Sequence, residues 1–156
     1  LVMADRMAVL RDGRLLQCDT PHQIYEQPGD RFVADFIGVM NFCRGHAGLD
    51  CVVAEGGQAV KGRLPSSLSQ GSSAVAAVRP ERVQVFPATP IANRFAGVVV
   101  ALAYHGLDLQ LHVRTGLSEK PFLVRVTADA ADRRPVAVGD SIEIGWSADD
   151  TRIFPD

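Results

Sequence analysis

The rhythm of apolar positions changes near residue 41. Before it, Met7-Ala8-Val9-Leu10 and Leu15-Leu16 flank Arg11-Asp12-Gly13-Arg14. Asp-Gly between apolar runs predicts a β-hairpin, because a type I′ turn needs positive φ at both central residues. Thr20 precedes Pro21 and stands three residues before Gln23, a capping box with proline at the first helical position, so a short helix is expected from Pro21 to about Glu26. Pro28 and Gly29 stop it. Asp30 then caps a second helix, on which Phe32, Val33, Phe36 and Ile37 recur on one face and which Gly38 ends.

Beyond Asn41 the texture is that of short strands. Leu49 to Ala54, Ala74 to Arg79, Arg82 to Phe86, Gly97 to Tyr104, Leu107 to Arg114, Pro121 to Thr127, Ser141 to Trp146 and Arg152 to Phe154 are each β-rich and bounded by Gly, Pro, Ser or Asp. Their spacing predicts a small all-β barrel or sandwich. Leu107 to Arg114 alternates strictly, which places Leu107, Leu109, Leu111 and Val113 on one face. Gly62 to Ser73 reads as a Ser-rich loop, and Phe86 to Arg94, with two prolines, as a link between two sub-halves. No segment repeats at a fixed period.

Composition narrows the function classes. The chain has 156 residues, 47% of them hydrophobic, which is enough for one core or two small ones without disulfides or metals. Its longest apolar runs, such as Val98 to Ala103, fall far short of the ~20 residues of a membrane helix. Sixteen basic residues against eighteen acidic ones, with only Lys61 and Lys120 as lysines, offer no overall attraction to nucleic acid. Aromatic residues make up 6% of the chain and are not interleaved with basic ones, which argues further against a single-strand-binding barrel. Three cysteines, Cys18, Cys43 and Cys51, with no Cys-x-x-Cys pair, fit a reducing compartment, and the cytoplasm is the expected location. Leu1 to Asp5 carries neither a basic head nor an apolar signal core; it reads as the cut edge of a longer protein.

Much catalytic chemistry is missing. A phosphate-cradling loop needs Gly-Lys-Ser/Thr, yet Lys61 is followed by Gly62 and Lys120 by Pro121. There is no Gly-x-Ser-x-Gly elbow and no His-Glu-x-x-His helix. Cys43, His46 and Cys51, with Asp50 nearby, contain zinc-preferring donors, but at a spacing that matches no standard site; two strand residues and a surface histidine are the plainer reading. His105 and Asp108 share a short turn without a nucleophile, which favours a solvated turn over base catalysis. Arg79, Glu81 and Arg82 around Pro80 form a charged cluster after an apolar strand. It is either an exposed corner or a place where arginine holds a buried carboxylate and fixes how the two β sub-halves meet.

Resemblance adds what spacing does not. Met3 to Gln17, then Thr20-Pro21-His22-Gln23-Ile24-Tyr25-Glu26-Gln27-Pro28, then Phe32 to Gly38, closely resembles the distal end of the nucleotide-binding domain in ATP-binding subunits of bacterial ABC importers. The rest resembles the C-terminal TOBE domain of the maltose, polyamine and ferric-iron groups of these subunits, an OB-like regulatory β fold. Val78-Arg79-Pro80-Glu81 is similar to its Arg-Pro-Glu signature, and Gly97-Val98 through Tyr104 and Gly106 to its Gly-Val to Tyr-x-Gly strand and turn. Gly139-Asp140-Ser141-Ile142 and Gly145-Trp146 are similar to its closing strands, whereas His105 stands where the family usually has an aliphatic residue.

The resemblance implies two domains, residues 1–41 as the end of the nucleotide-binding domain and 42–156 as the TOBE domain. It implies a mainly β fold, an OB-like barrel or sandwich preceded by a hairpin and two short helices. It makes Arg79, Pro80, Glu81, Tyr104, Gly106, Gly139, Asp140 and Trp146 the signature or interface candidates, and assigns no catalytic, nucleotide-binding or metal residue to this stretch. ATP and magnesium belong to the intact subunit, which by resemblance is a homodimer at the inner face of the membrane beneath two permease subunits. The expected role is regulation and dimerisation of a transport ATPase, with polyamine favoured as cargo by the look of Thr20 to Pro28, while this stretch alone is inactive. The alternative is an OB-like sensor of an oxyanion or other small ligand.

Overall fold

The computed structural model describes residues 5–156. Residues 1–4, on which the leader reading and the Met3-Ala4 start of the importer-like stretch fall, lie outside the described residues. The chain divides into two compact units, residues 1–40 and 41–156.

In the first unit, β1 (Met7–Arg11) and β2 (Arg14–Asp19) form an antiparallel hairpin. Its turn has φ 51 at Asp12 and 76 at Gly13, the two positive values that the Asp-Gly signal requires. Helix α1 (Pro21–Glu26) is capped by Thr20, whose Oγ1 accepts from the Gln23 amide at 3.1 Å. Asp30 does the same for α2 (Arg31–Ile37) through Val33 N at 2.8 Å. Gln17 ties the hairpin to the loop after α1, accepting from Gly29 N and donating to Gln27 O. Val9, Ile24 and Val33 make a small core. The predicted face of α2 is only half right. Val33 and Ala34 are buried, whereas Phe36 is 66% exposed and stacks on Phe32. Gly38 ends the helix in an extended conformation, φ 173, so it stops the helix without the left-handed turn that favours glycine there.

The second unit is two five-stranded antiparallel sheets. It contains β3 (Asn41–Gly48), β4 (Cys51–Ala54), β5 (Ala59–Lys61), β6 (Ser73–Val78), β7 (Gln84–Val85), β8 (Asn93–His105), β9 (Asp108–Arg114), β10 (Phe122–Thr127), α3 (Ala128–Arg133), β11 (Ser141–Trp146) and β12 (Arg152–Pro155). One sheet has the order β12-β6-β3-β4-β5, the other β7-β11-β8-β9-β10. Replacing each strand of β3–β7 by its counterpart in β8–β12 turns the first order into the second. The unit is therefore two copies of one five-stranded plan, residues 41–86 and 93–156, and each copy lends its last strand to the sheet of the other.

The register confirms the equivalence. Asn41 pairs with Val78 and Asn93 with Trp146; Gly45 pairs with Ala74 and Gly97 with Ile142. The exchanged strands match too, Ala76 facing Ile153 and Ile144 facing Val85. Even the 3-10 turns at Pro80–Arg82 and Ala148–Asp150 correspond. Gly45 and Gly97 serve one purpose, since a Cβ at the first would collide with Val53 O and at the second with the Val113 side chain.

Several strand boundaries differ from expectation. Arg82 to Phe86 is a 3-10 turn followed by a two-residue strand, because Pro80 has no amide hydrogen to give a sheet ladder. β3, β5 and α3 are additional. Leu109, Leu111 and Val113 face the core as expected, but Leu107 sits in the β8–β9 turn and is 86% exposed. The core between the sheets contains Val52, Val99, Leu111, Val124, Ile144 and Trp146.

Candidate functional site

Two asparagines join the halves. Asn41, the first residue of β3, donates through Nδ2 to Leu123 O at 2.8 Å and accepts from Leu123 N at 2.7 Å. Asn93, the first residue of β8, does the same to Lys61, donating to its carbonyl at 3.0 Å and accepting from its amide at 2.7 Å. Leu123 belongs to β10 and Lys61 to β5, each at one edge of its sheet. Each asparagine thus satisfies a backbone donor and acceptor that an edge strand otherwise presents to another chain. Both side chains are buried, so the bonds are shielded from competing water.

Trp146 extends the second clamp. Its indole Nε1 donates to Thr151 Oγ1 at 2.9 Å, and Thr151 Oγ1 also accepts from Asn93 Nδ2 at 3.4 Å. Phe95 and Phe122 pack on the indole at centroid distances of 5.3 and 5.8 Å. In the first half Val78 occupies the position of Trp146.

The other signature candidates disperse. Arg79 and Pro80 are buried at the corner after β6, and the 3-10 turn packs against β10. Two ion pairs link this corner to its surroundings, Glu81 to Arg125 of β10 and Arg82 to Asp150, each at 3.8 Å. The charged cluster is a corner built into the junction of the halves, where Glu81 and Arg82 form these pairs. Tyr104 is 78% exposed beside Gly106, whose φ of 63 opens the β8–β9 turn. His105 and Asp108 face each other on the last rung of that hairpin. Gly139 (φ 97) and Asp140 shape the turn before β11: Gly139 N donates to Val99 O, and Asp140 Oδ2 accepts from Ala137 N. Arg79, Pro80, Glu81 and Trp146 therefore lie at the two equivalent corners, while Tyr104, Gly106, Gly139 and Asp140 occupy separate turns.

The Cys43, His46 and Cys51 donors do not converge. Cys43 is buried on the inner face of β3, while His46, three residues on, points to the outer face and is exposed. Among the described residues no group of three or more His, Cys, Asp or Glu is placed to hold a metal. Burial pushes the Cys43 thiol up to about 11.

One cavity, of about 370 Å³, opens between β7, β10 and α3, with Val83, Val85, Val126, Ala131 and Val136 among its lining residues. Arg134 stands in its wall with its guanidinium 3.7 Å from the centroid of the Phe86 ring. Neither the cavity nor the asparagine clamps had been expected from the sequence. The clamps had a signal that only comparison of the two halves exposes: Asn41 and Gly45 recur as Asn93 and Gly97 with the same spacing.

The TOBE domain family matches residues 76–154. The chain is similar to the spermidine/putrescine import ATP-binding protein PotA 1 of Pseudomonas aeruginosa, 34% identical, covering 100% of this chain and 42% of that one. It is similar to PotA of Pseudomonas fluorescens, 39% identical over 74% of this chain and 32% of the relative, and to PotA of Thermobifida fusca, 34% identical over 99% and 42%. It thus spans about two fifths or less of the length of these relatives. Among solved structures, the cytoplasmic molybdate-binding protein ModG in its molybdate-bound form superposes with a TM-score of 0.64 at 15% identity, covering 74% of this chain and 96% of that one, a likeness of fold alone.

Proposed function

This chain belongs to the TOBE domain family and corresponds to the C-terminal region of PotA-type ABC importer ATP-binding subunits, and from that premise we propose that the intact subunit powers polyamine import. Residues 1–40 are the distal end of its nucleotide-binding domain and 41–156 its regulatory domain, one residue earlier than the resemblance places the boundary, because Asn41 already belongs to β3. The carrying observation is the 34% identity to a spermidine/putrescine import subunit over 100% of this chain, hairpin and helices as well as β unit.

In this reading ATP and magnesium bind elsewhere in the subunit, which works at the cytoplasmic face of the membrane against two permease subunits. The β unit extends the homodimer and biases its opening and closing, a coupling of about 1–3 kcal/mol in allosteric proteins generally. Rigid joining of the halves by Asn41, Asn93 and Trp146 supports such a role, because a regulatory domain transmits force only if it does not deform. Arg79, Pro80, Glu81 and Trp146 then act as framework residues at the two corners, and exposed Tyr104 as an interface residue.

Reconstitution of the intact subunit with the permease encoded beside its gene tests this. Spermidine or putrescine uptake driven by ATP is the expected result, and uptake of ferric iron or a sugar in its place overturns the cargo. ATP turnover by residues 1–156 that tracks their concentration through purification overturns the accessory role.

A further inference from the structure

The two halves share a plan but not a filling, and the cavity lies where they part. By register, Val85 is the counterpart of Ile153, so Val83 corresponds to Thr151 and Phe86 to Phe154. In the first half the chain leaving β5 closes on Thr151 and Ile153: a Cβ on Gly62 would lie 2.8 Å from Thr151 Cβ and 3.3 Å from Ile153 Cδ1. In the second half β10 runs on to Thr127 before turning into α3, and Val83 and Val85 line open space instead.

Three observations bear on what that space accepts. Its volume is within the range of small-molecule sites, and its wall is mostly valine, alanine and leucine. Among the described residues its one charged lining residue is Arg134, whose guanidinium rests on the Phe86 ring. Phe86, which supplies that face, has φ 48, a left-handed conformation that is strained for a bulky residue, whereas Phe154 at the equivalent place avoids it. Strain of this kind persists where the surroundings impose it, and here it holds the ring beneath the guanidinium.

The geometry points to a binding site for a small monocarboxylate with an apolar tail, the tail between β7, β10 and α3 and the carboxylate on Arg134. Guanidinium pairs with carboxylate in a planar fork, and burial of the tail supplies the remaining affinity. A cationic ligand is disfavoured by the same arginine, so this site is separate from recognition of any polyamine, and its failure leaves the proposed importer role untouched.

Calorimetric titration of residues 1–156 with octanoate, octan-1-ol and octylammonium tests the site. Octanoate is expected to saturate at one per chain and to bind best. Arg134→Met, an exposed substitution, should weaken octanoate about tenfold and leave octan-1-ol unchanged, while Ala131→Leu, with folding verified by its melting curve, weakens both. Amide shifts should move at Val85, Val126 and Ala131. The proposal is overturned if octanoate does not saturate, if octylammonium binds better, if Arg134→Met has no effect on octanoate, or if the shifts cluster on Phe36 and Leu10 of the first unit.

Discussion

The halves at residues 41–86 and 93–156 solve one packing problem with different side chains. Where the second has Trp146 held by Phe95, Phe122 and Thr151, the first has Val78; where the first is closed by Gly62 against Thr151, the second is open beneath α3. What they keep in common is the exchange of last strands and the asparagine at the head of the first strand. The lesson is that backbone satisfaction at sheet edges is the less negotiable requirement. An unpaired buried amide and carbonyl cost about 1–3 kcal/mol each, whereas an apolar volume can be filled from either side.

The two halves differ most at Trp146 and its counterpart Val78. Trp146→Ala should destabilise the unit by about 3–5 kcal/mol, and Val78→Ala at the equivalent place by only about 1–2 kcal/mol, both read from urea unfolding. Equal losses would mean that the indole is not the centre of the second half. Asn41→Ala and Asn93→Ala should each remove about 2–4 kcal/mol, Asn93 the more because it also holds Thr151. If one were silent, the clamps would not be equivalent.

Adding volume should act in opposite senses. Gly62→Ala pushes a methyl onto Thr151 and costs about 1–3 kcal/mol, while Ala131→Leu grows into the cavity and is neutral or stabilising by up to about 1 kcal/mol. Thermal melts of the two variants decide this. The smallest effect concerns Cys43. Its thiol is raised to about 11 from 9.0, so the folded chain keeps the proton longer than the unfolded one. Stability linked to it is complete below about pH 9 and lost as the pH rises through about 11. At about pH 8 iodoacetamide should modify exposed Cys18 first and buried Cys43 only on unfolding, an order that peptide mass mapping of the labelled chain would check.

Much of the local structure was legible in advance. The Asp12-Gly13 turn, the Thr20 and Asp30 caps and the strand from Ser141 to Trp146 each depend on a few adjacent residues. The structure departs from the sequence pattern where local signals are short or misleading. β5 has three residues, too few for a period; α3, with the sequence Ala-Asp-Ala-Ala-Asp-Arg, shows no apolar stripe; Leu107 continues an alternating run that the turn at Gly106 interrupts. The corner residues Arg79, Pro80 and Glu81 and the central Trp146 were visible by resemblance, but not the partners that give them meaning.

The turns, the caps, most strands and the mainly β class are written in the order of residues, because they follow from dihedral preferences and apolar alternation over a handful of neighbours. That each half completes the other's sheet, that Asn41 reaches Leu123 and Asn93 reaches Lys61, and that a cavity opens beside Arg134 emerge only once the chain has folded. Counterparts in the two halves drift apart along the chain as hairpins and loops lengthen, so no fixed period marks the duplication. The symmetry resides in hydrogen-bond register between distant strands, which no window of adjacent residues contains.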